Sequence, residues 1–197
     1  MPKTKKKNGN AVDLRQTILK TALILFTSKG YFNTSVHDIK RTADISIGAV
    51  YHHFKSKEEI AKAIYAEMLE VMTKSMDEIM VQYDSTQERA KAIMRMLFDW
   101  AETNPAEMEF MLHAKHKEFM PSAIPVCSSR PLAMMREVVQ TGINNGEIRE
   151  MDVTLAATCL FGGMFRMINL RLDGIFKEPL PPHLEMVWDC AWKGVAR

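Results

Sequence analysis

A chain of 197 residues with 47% apolar and 25% charged side chains can bury a sizeable core, and this composition excludes a wholly disordered protein. The net charge of +2 is unevenly distributed. Residues 1–60 hold eleven Lys and Arg against five Asp and Glu, whereas residues 61–197 hold fifteen against nineteen. A basic head on a mildly acidic body predicts that the head meets a polyanion, although a solvated basic tail is the competing interpretation.

The three cysteines are far apart and odd in number, which favours free thiols in a reducing cytoplasm. The N-terminal lysines are followed by no apolar run before Asp13, so we expect no signal peptide. The longest apolar stretch, residues 155–170, includes Arg166 and two glycines, and we expect no membrane span. We also expect no cofactor.

The N-terminal third is predicted to form a basic arm and three helices. Residues 1–10, MPKTKKKNGN, hold no core-forming side chain and predict a flexible arm. Apolar residues then recur at helical spacing, and Gly30 is expected to end that first helix. Ser35, with Asp38 three residues later, predicts the start of a second helix, and Ser46 is expected to cap a short third one.

A series of longer helices follows. Two further capping boxes, at Ser56 and Ser85, predict helices that reach about Gln82 and Thr103. Pro105 suits the first turn of the next helix, where its missing N–H is not needed. The central part of the chain is therefore predicted to be helical almost throughout.

Prolines divide the C-terminal part. Three of them break residues 120–131 into a loop or a short kinked helix. Helices are predicted over about 132–145, 152–172 and 184–195, with a proline-rich linker over 174–182. No strand alternation and no internal repeat is present in the pattern. The predicted fold class is all-α, with about nine helices.

Three helices within the first 60 residues, the second and third joined by about three residues, describe a helix-turn-helix. The last helix of such a motif enters the DNA major groove. Here it covers about residues 46–53. Gly48 and Ala49 are small, which lets the backbone approach the bases, and Tyr51 and His52 carry hydrogen-bonding tips.

Two lysines flank that helix. Lys57 falls in the first turn of the next helix, where its charge opposes the helix macrodipole, and a nearby phosphate would reverse that penalty. Taken singly, Lys55 and Lys57 suit solvated surface charges; within the helix-turn-helix they predict phosphate contacts. His52 and His53 are adjacent and point about 100° apart on a helix, so they are not expected to chelate a metal together.

Spaced residues over about 12–60 form one extended motif. They read Ala22-x-x-Leu25-Phe26-x-x-x-Gly30-Tyr31, then Thr34-Ser35-Val36-x-Asp38-Ile39, then Ala43-x-Ile45-Ser46-x-Gly48-x-x-Tyr51-x-His53-Phe54-x-Ser56-Lys57-Glu58. Together they resemble the DNA-binding domain of TetR/AcrR-family transcriptional regulators, and a match over this many positions is specific. Lys40 stands where that family usually has alanine. Asp44 stands where glycine is usual in the turn, and Asp tolerates the left-handed backbone.

The resemblance implies a dimeric repressor that binds a palindromic operator and is released when a ligand moves its DNA-binding heads apart. It implies that Ile47, Gly48 and Ala49 face base edges, while His53 and Phe54 pack against the first helix. The N-terminal lysines would follow the DNA backbone or enter the minor groove. The full set of candidate DNA-binding residues is Ser35, Lys40, Ser46, Ile47, Gly48, Ala49, Tyr51, His52, Lys55 and Lys57.

The resemblance also implies three regions: an arm over 1–10, a DNA-binding domain over 11–56, and an effector-binding and dimerisation domain over 57–197. Most of the sixteen methionines lie in the last region, where flexible side chains suit a pocket for an apolar ligand such as an acyl chain or an aromatic molecule. Methionine that merely fills core is the competing interpretation. The candidate lining residues are Met72, Met76, Phe98, Met108, Met111, Phe119, Met134, Val138, Phe161 and Phe165.

The last two predicted helices suit a homodimer interface. Small residues over 155–166 permit close helix contact, and two tryptophans lie four residues apart on one helix face. Packing within one subunit is the alternative. The candidate interface residues are Arg166, Leu170, Trp188 and Trp192.

Two other functional classes are alternatives to a ligand-responsive regulator. His113 and His116 are three apart, with Glu109 one turn earlier, and this spacing can hold a metal on one helix face. Lysines alternate with the histidines and no third strong ligand is near, so no metal site is expected. No catalytic triad order, phosphate loop or carboxylate pair stands out, which argues against an enzyme. A DNA-binding protein without an effector is the remaining alternative.

Overall fold

The computed structural model describes residues 8–113 and 129–197, with side chains from residue 14 onward. In this part of the chain all regular elements are helical apart from one isolated bridge between Ile148 and Ala196, which confirms the all-α class. The α-helices are α1 Asn8–Ser28, α2 Val36–Thr42, α3 Ile47–His53, α4 Lys57–Gln82, α5 Thr86–Thr103, α6 Pro105–His113, α7 Arg130–Asn144, α8 Val153–Leu172 and α9 Leu184–Lys193, with a 3-10 turn at Pro181–His183.

The chain divides into two compact units. Among the described residues, the first comprises 8–68 and 109–113, and the second comprises 69–108 and 129–197. The division falls within α4, whereas the predicted domain boundary lies at its first turn. Of the predicted N-terminal arm, residues 1–7 lie outside the described part, and α1 already includes residues 8–10.

In the first unit, the signals for α2 and α3 act as predicted. The Asp38 N–H donates to Ser35 Oγ at 3.1 Å, and the Ser35 N–H donates to the Asp38 carboxylate at 2.9 Å, which completes a capping box. The Ala49 N–H donates to Ser46 Oγ at 3.1 Å. The turn between the two helices passes through Asp44 at φ 52°, the left-handed conformation that aspartate was expected to tolerate.

Apolar residues at helical spacing build the core of this first unit. Ile18, Ala22 and Phe26 of α1 are buried, and α2 packs against both α1 and α3. Ile39 and Val50 turn inward from these two short helices and have no exposed surface. Because each contributes one central apolar side chain, the remaining faces of α2 and α3 stay free to carry polar residues.

In the second unit, α5 packs against α7, α8 and α9. It begins with the predicted capping box of Ser85 and Glu88, and Asp152 caps α8 by accepting the Thr154 and Leu155 N–H groups at 2.9 Å each. The buried face of α5 carries mostly apolar side chains, which form the centre of the unit. The buried residues of α5 are Thr86, Ala90, Ile93, Met94, Leu97, Phe98, Trp100 and Ala101.

A polar clamp joins three segments of the second unit. The Arg171 guanidinium donates two hydrogen bonds to the Glu102 carboxylate, at 2.8 and 2.9 Å, and the Leu180 N–H donates to the same carboxylate at 3.0 Å. The hydrogen bond from Arg171 lowers the pKa of Glu102 and raises that of Arg171. The clamp fastens the end of α5 to the end of α8 and to the segment before α9.

Gly142 permits close packing between α7 and the start of α5. A Cβ at this position would lie 2.6 Å from Thr86 Cγ2 and 2.9 Å from Ile148 Cδ1. We therefore expect Gly142→Ala to lower the free energy of unfolding by about 1–3 kcal/mol, as measured by urea unfolding. Gly162→Ala is the control, since its Cβ would meet Thr158 Cγ2 at 3.9 Å. Equal stability of the two variants would contradict this packing account.

Candidate functional site

Helix α3 presents small and polar residues to solvent. Val50 faces the core, whereas Ser46, Gly48 and His52 are exposed and the Tyr51 side chain is 50% exposed. Ile47 and Ala49 are half-buried at the start of the helix. This surface consists of two turns of helix with short side chains at its N-terminal end and hydrogen-bonding tips at its C-terminal end. It suits direct contact with base edges and phosphates.

The other candidate DNA-binding residues of the first unit differ in exposure. Ser35 is exposed at the N-terminus of α2, and Lys40 is half-buried on the same helix. Lys55 is exposed between α3 and α4, and its ammonium has no hydrogen bond or ion pair within the described residues. The backbone N–H of Lys55 donates to Glu59 Oε2 at 2.7 Å, so the turn that carries this ammonium is held in place.

The sequence predicts a phosphate contact for Lys57, and in the structure its ammonium also bonds to groups within its own subunit. Its ammonium donates to the carbonyl oxygens of Tyr31 and Thr34, both at 2.7 Å, and lies 4.1 Å from the centroid of the Tyr31 ring. Burial lowers the pKa of Lys57. Two of its three N–H groups are therefore used within the protein, where acceptors 23 and 26 residues away could not be inferred from local spacing.

The two adjacent histidines occupy different environments. His52 is exposed, His53 is half-buried, and their rings meet edge to face at 5.2 Å. Phe54 is buried, and the guanidinium of Arg15 from α1 lies 5.5 Å from its ring centroid. Phe54 thus packs on the first helix.

The His113 region has a carboxylate partner but no metal cluster in the described part of the chain. His113 Nδ1 lies 3.0 Å from Glu109 Oε2. Residues 8–113 and 129–197 contain no group of three or more side chains placed to hold a metal ion. His116 lies outside the described residues.

The candidate ligand-lining residues are mostly buried. Of the ten, Phe119 lies outside the described residues, Met111 is buried in the first unit, and Phe165 is half-buried in the second. The others are buried in the second unit and are Met72, Met76, Phe98, Met108, Met134, Val138 and Phe161.

Two of these candidates line an apolar cavity between α7 and α8 of about 270 Å³. Phe161 and Phe165 contribute to its wall. Its full lining is Leu132, Met135, Arg136, Thr154, Ala157, Thr158, Phe161, Gly162 and Phe165. A groove between α4 and α5, of about 480 Å³, has a mixed polar and apolar lining that includes none of the ten candidates. The α7–α8 cavity is therefore the better match to an apolar ligand.

The last two helices expose apolar side chains. Leu155 on α8 is 55% exposed and Met186 on α9 is 70% exposed. By length and composition alone, α8 is the one helix of the described residues that could cross a membrane. Only 28% of its most apolar segment is buried within the subunit. Its N-terminus is capped by Asp152, and it packs against α5, α7 and α9.

The four predicted interface residues do not all reach this surface. Arg166 is exposed, and Leu170 and Trp192 are half-buried. Trp188 is only 2% exposed, and its ring stacks on that of Trp192 at 5.2 Å. The Trp188 ring is thus already buried within its own subunit and has almost no surface left for a partner.

A three-helix unit whose third helix exposes small and polar residues, followed by a larger helical unit, defines a helix-turn-helix DNA-binding regulator. Residues 18–64 match the family model described as bacterial regulatory proteins, tetR family. The HTH-type transcriptional repressor KstR2 of Mycolicibacterium smegmatis is 26% identical over 145 residues, which cover 72% of this chain and 71% of that protein. The HTH-type transcriptional regulator AcrR of Shigella flexneri is 32% identical over 81 residues, or 41% of this chain and 36% of that protein.

Solved structures share the fold over nearly the whole length. The transcriptional regulator FadR from Bacillus subtilis, in complex with stearoyl-CoA, superposes with a TM-score of 0.79 at 21% identity and covers 91% of this chain and 98% of its own. The ketosteroid transcriptional regulator KstR2 of Mycobacterium tuberculosis gives 0.71 at 21% identity and covers 93% and 95%. Residues 18–64 thus form a DNA-binding domain of the TetR family, and the chain is a DNA-binding transcriptional regulator.

Proposed function

We propose that this regulator is a homodimeric repressor in the bacterial cytoplasm, which binds a palindromic operator and leaves it when a small apolar effector binds. The observation that carries the DNA-binding part is the division of α3 into a buried Val50 and an outward surface around Gly48 and Tyr51. That surface has the size and chemistry of a major-groove reader.

Each outward residue has a proposed role on DNA. Ile47, Gly48 and Ala49 meet base edges, because short side chains let the helix N-terminus approach them. Tyr51 and His52 donate to phosphates from the far end of α3. The remaining phosphate contacts in the proposal come from Ser35, Lys40, Ser46, Lys55 and Lys57, all of which keep some solvent exposure.

The homodimer is proposed to form through α8 and α9. Their exposed apolar residues would be covered by the same surface of a second copy, as a twofold axis requires. Arg166, Leu170 and Trp192 belong to the proposed interface, and Trp188 supports it from beneath through its stacked ring. Either a second subunit or lipid could cover the apolar surface of α8 that its own subunit leaves unburied. Because α8 packs against α5, α7 and α9, we favour a second subunit.

The effector is proposed to be apolar, with an acyl chain or a fused ring system as its main part. The FadR relative holds stearoyl-CoA and the KstR2 relative is named for ketosteroids. The α7–α8 cavity is a candidate for part of the site because its wall is almost wholly apolar. The buried methionines Met72, Met76, Met108 and Met134 can change rotamer to enlarge the space.

Operator release tests this proposal. With a fluorescent duplex from the DNA upstream of the gene, stearoyl-CoA or a ketosteroid is expected to displace the protein, whereas coenzyme A alone is not. Ala157→Leu, which adds three carbons at the wall of the α7–α8 cavity, is expected to raise the effector concentration for half-release about tenfold, since burying a ligand's methylene groups is worth about 0.8 kcal/mol each.

Ala92→Leu provides the matched control, because Ala92 is a half-buried alanine that lines the α4–α5 groove instead. It is expected to leave both operator affinity and release unchanged. If Ala92→Leu altered release and Ala157→Leu did not, the effector site would lie in the α4–α5 groove. If neither stearoyl-CoA nor a ketosteroid affected operator binding, the result would favour the alternative that this protein binds DNA without an effector.

A further inference from the structure

Among the described residues that line the α7–α8 cavity, one carries a charge. Six of the nine are apolar residues or glycine, two are threonines, and the ninth is Arg136. The Thr158 hydroxyl donates to the Thr154 carbonyl oxygen within α8, at 2.7 Å. The half-buried Arg136 guanidinium, with its five N–H donors, is therefore the strongest polar group that this wall offers to a bound molecule.

The carboxylates that adjoin the wall in sequence are not part of it. Glu137 is exposed, and its Oε1 accepts a hydrogen bond from Arg130 Nη1 at 2.5 Å. Asp152 accepts the N–H groups of Thr154 and Leu155 at the start of α8. These two negative charges serve an ion pair and a helix cap, so the charge on the cavity wall itself is positive.

A cation in an apolar wall discriminates between ligands by their charge. A neutral apolar molecule that filled the cavity would remove water from the Arg136 guanidinium and return no acceptor. A carboxylate or phosphate would accept two parallel N–H bonds from the planar guanidinium, and such charge-assisted bonds are about twice as strong as neutral ones. The attraction between the two charges also increases as water is displaced. The cavity therefore favours an apolar body that carries an anionic group.

We propose that the effector is an amphipathic anion, whose apolar part fills the α7–α8 cavity and whose carboxylate or phosphate binds Arg136. A free acid and an acyl-CoA thioester both supply such a group, whereas an alcohol does not. Arg136 is the residue that selects the charged ligand. This inference rests on the proposed function, in which the cavity is part of the effector site.

Ligands with matched ten-carbon chains test the charge preference. The cavity of about 270 Å³ lies just under the roughly 300–1,000 Å³ of sites for drug-sized ligands, so a chain of this length is suitable. Decanoate, decanoyl-CoA, decanol and methyl decanoate are titrated calorimetrically into the full chain near neutral pH, without DNA. We expect decanoate to bind at least tenfold more tightly than the two uncharged ligands.

Decanoyl-CoA distinguishes the two sources of the anionic group, because it carries phosphates and no free carboxylate. A preference for decanoyl-CoA alone, with no binding of coenzyme A by itself, would assign the group that binds Arg136 to a phosphate. If neither decanoate nor decanoyl-CoA bound more tightly than decanol, the inference would be overturned.

Substitution of Arg136 tests whether this residue selects the charge. Arg136→Met is expected to weaken decanoate binding at least tenfold and to leave decanol binding unchanged or tighter. Arg136→Lys keeps the charge without the planar fork and should retain part of the preference. Arg130→Met is the matched control, since Arg130 is an exposed arginine of the same helix outside the cavity wall. An anion preference that persisted in Arg136→Met would contradict the assignment.

Wild-type protein supplies a measurement that holds even if Arg136→Met does not fold. In ¹⁵N-labelled protein, the Nε–H signal of Arg136 is expected to shift further with decanoate than with decanol, because only the carboxylate accepts strongly from the guanidinium. A signal that no anionic ligand moves would refute the role of Arg136.

Operator release separates failure of this inference from failure of the proposed function. If decanoate binds through Arg136 and the operator complex stays intact, the effector role of the cavity fails while the anion site stands. If decanoate and decanol release the operator at equal concentrations, the cavity keeps its effector role and the selection of charge fails.

Discussion

Gly48→Leu is expected to weaken operator binding at least tenfold while the free protein remains as stable as wild type. A Cβ at residue 48 would meet only Ser46 Oγ, at 3.9 Å, so the fold has room for a side chain there. Leucine is also a better helix former than glycine. On DNA, the same side chain would occupy the space into which the proposed interface brings a base edge, and each such contact is worth about 1–3 kcal/mol.

Fluorescence anisotropy with operator and with unrelated duplex measures this effect, and thermal unfolding measures the stability of the free protein. Ala66→Leu is the control, since Ala66 is an exposed alanine in the middle of α4. It adds a similar apolar volume to a helix surface and should leave operator affinity unchanged. Wild-type affinity in Gly48→Leu would show that α3 does not approach the bases at this residue.

Gly163→Glu is expected to convert the dimer to a monomer at micromolar concentration. Gly163 is exposed on α8, and a Cβ there would meet nothing within 4 Å in its own subunit. The subunit fold should therefore accept glutamate. In the proposed dimer each subunit would bring a new carboxylate into the apolar interface, because the twofold axis places residue 163 of both copies there. Each carboxylate would lose its hydrating water without gaining a hydrogen-bonding partner.

Loss of the dimer should also reduce operator affinity about 100-fold, because two half-sites are no longer bound by one linked molecule. Sedimentation velocity gives the oligomeric state, and Gln140→Glu on the exposed surface of α7 is the control. Alkylation of Cys159, one turn before Gly163, should be slow in the wild type and fast in Gly163→Glu. A variant that stays dimeric would place the interface elsewhere.

The helix boundaries followed from the sequence because their signals are local. In the capping boxes of Ser35 with Asp38 and Ser85 with Glu88, the partners are three residues apart, so a side chain and the backbone it caps always meet when the helix forms. The predicted box at Ser56 forms in part. Ser56 Oγ accepts the Glu59 N–H at 3.2 Å, whereas the Glu59 carboxylate accepts the N–H of Lys55.

The DNA-facing residues of α3 were predicted from the family resemblance. In the structure, helical geometry turns Val50 inward and leaves its neighbours Gly48 and Tyr51 exposed. Exposure on the other helices was harder to infer. Trp188 and Trp192 share a helix face, yet one is buried and the other half-buried, because neighbouring helices cover that face unevenly.

By itself, the sequence determined the all-α class, the helix-turn-helix and the family, since helical periodicity, caps and spaced motif residues all act over a few positions. Only the tertiary structure decided how distant polar groups pair. Lys57 meets carbonyls 23 and 26 residues away, Glu102 meets Arg171, and Glu147 accepts the N–H groups of Thr86 and Gln87 at the start of α5. Such partners are brought together by the packing of whole helices, and no spacing rule along the chain encodes that packing.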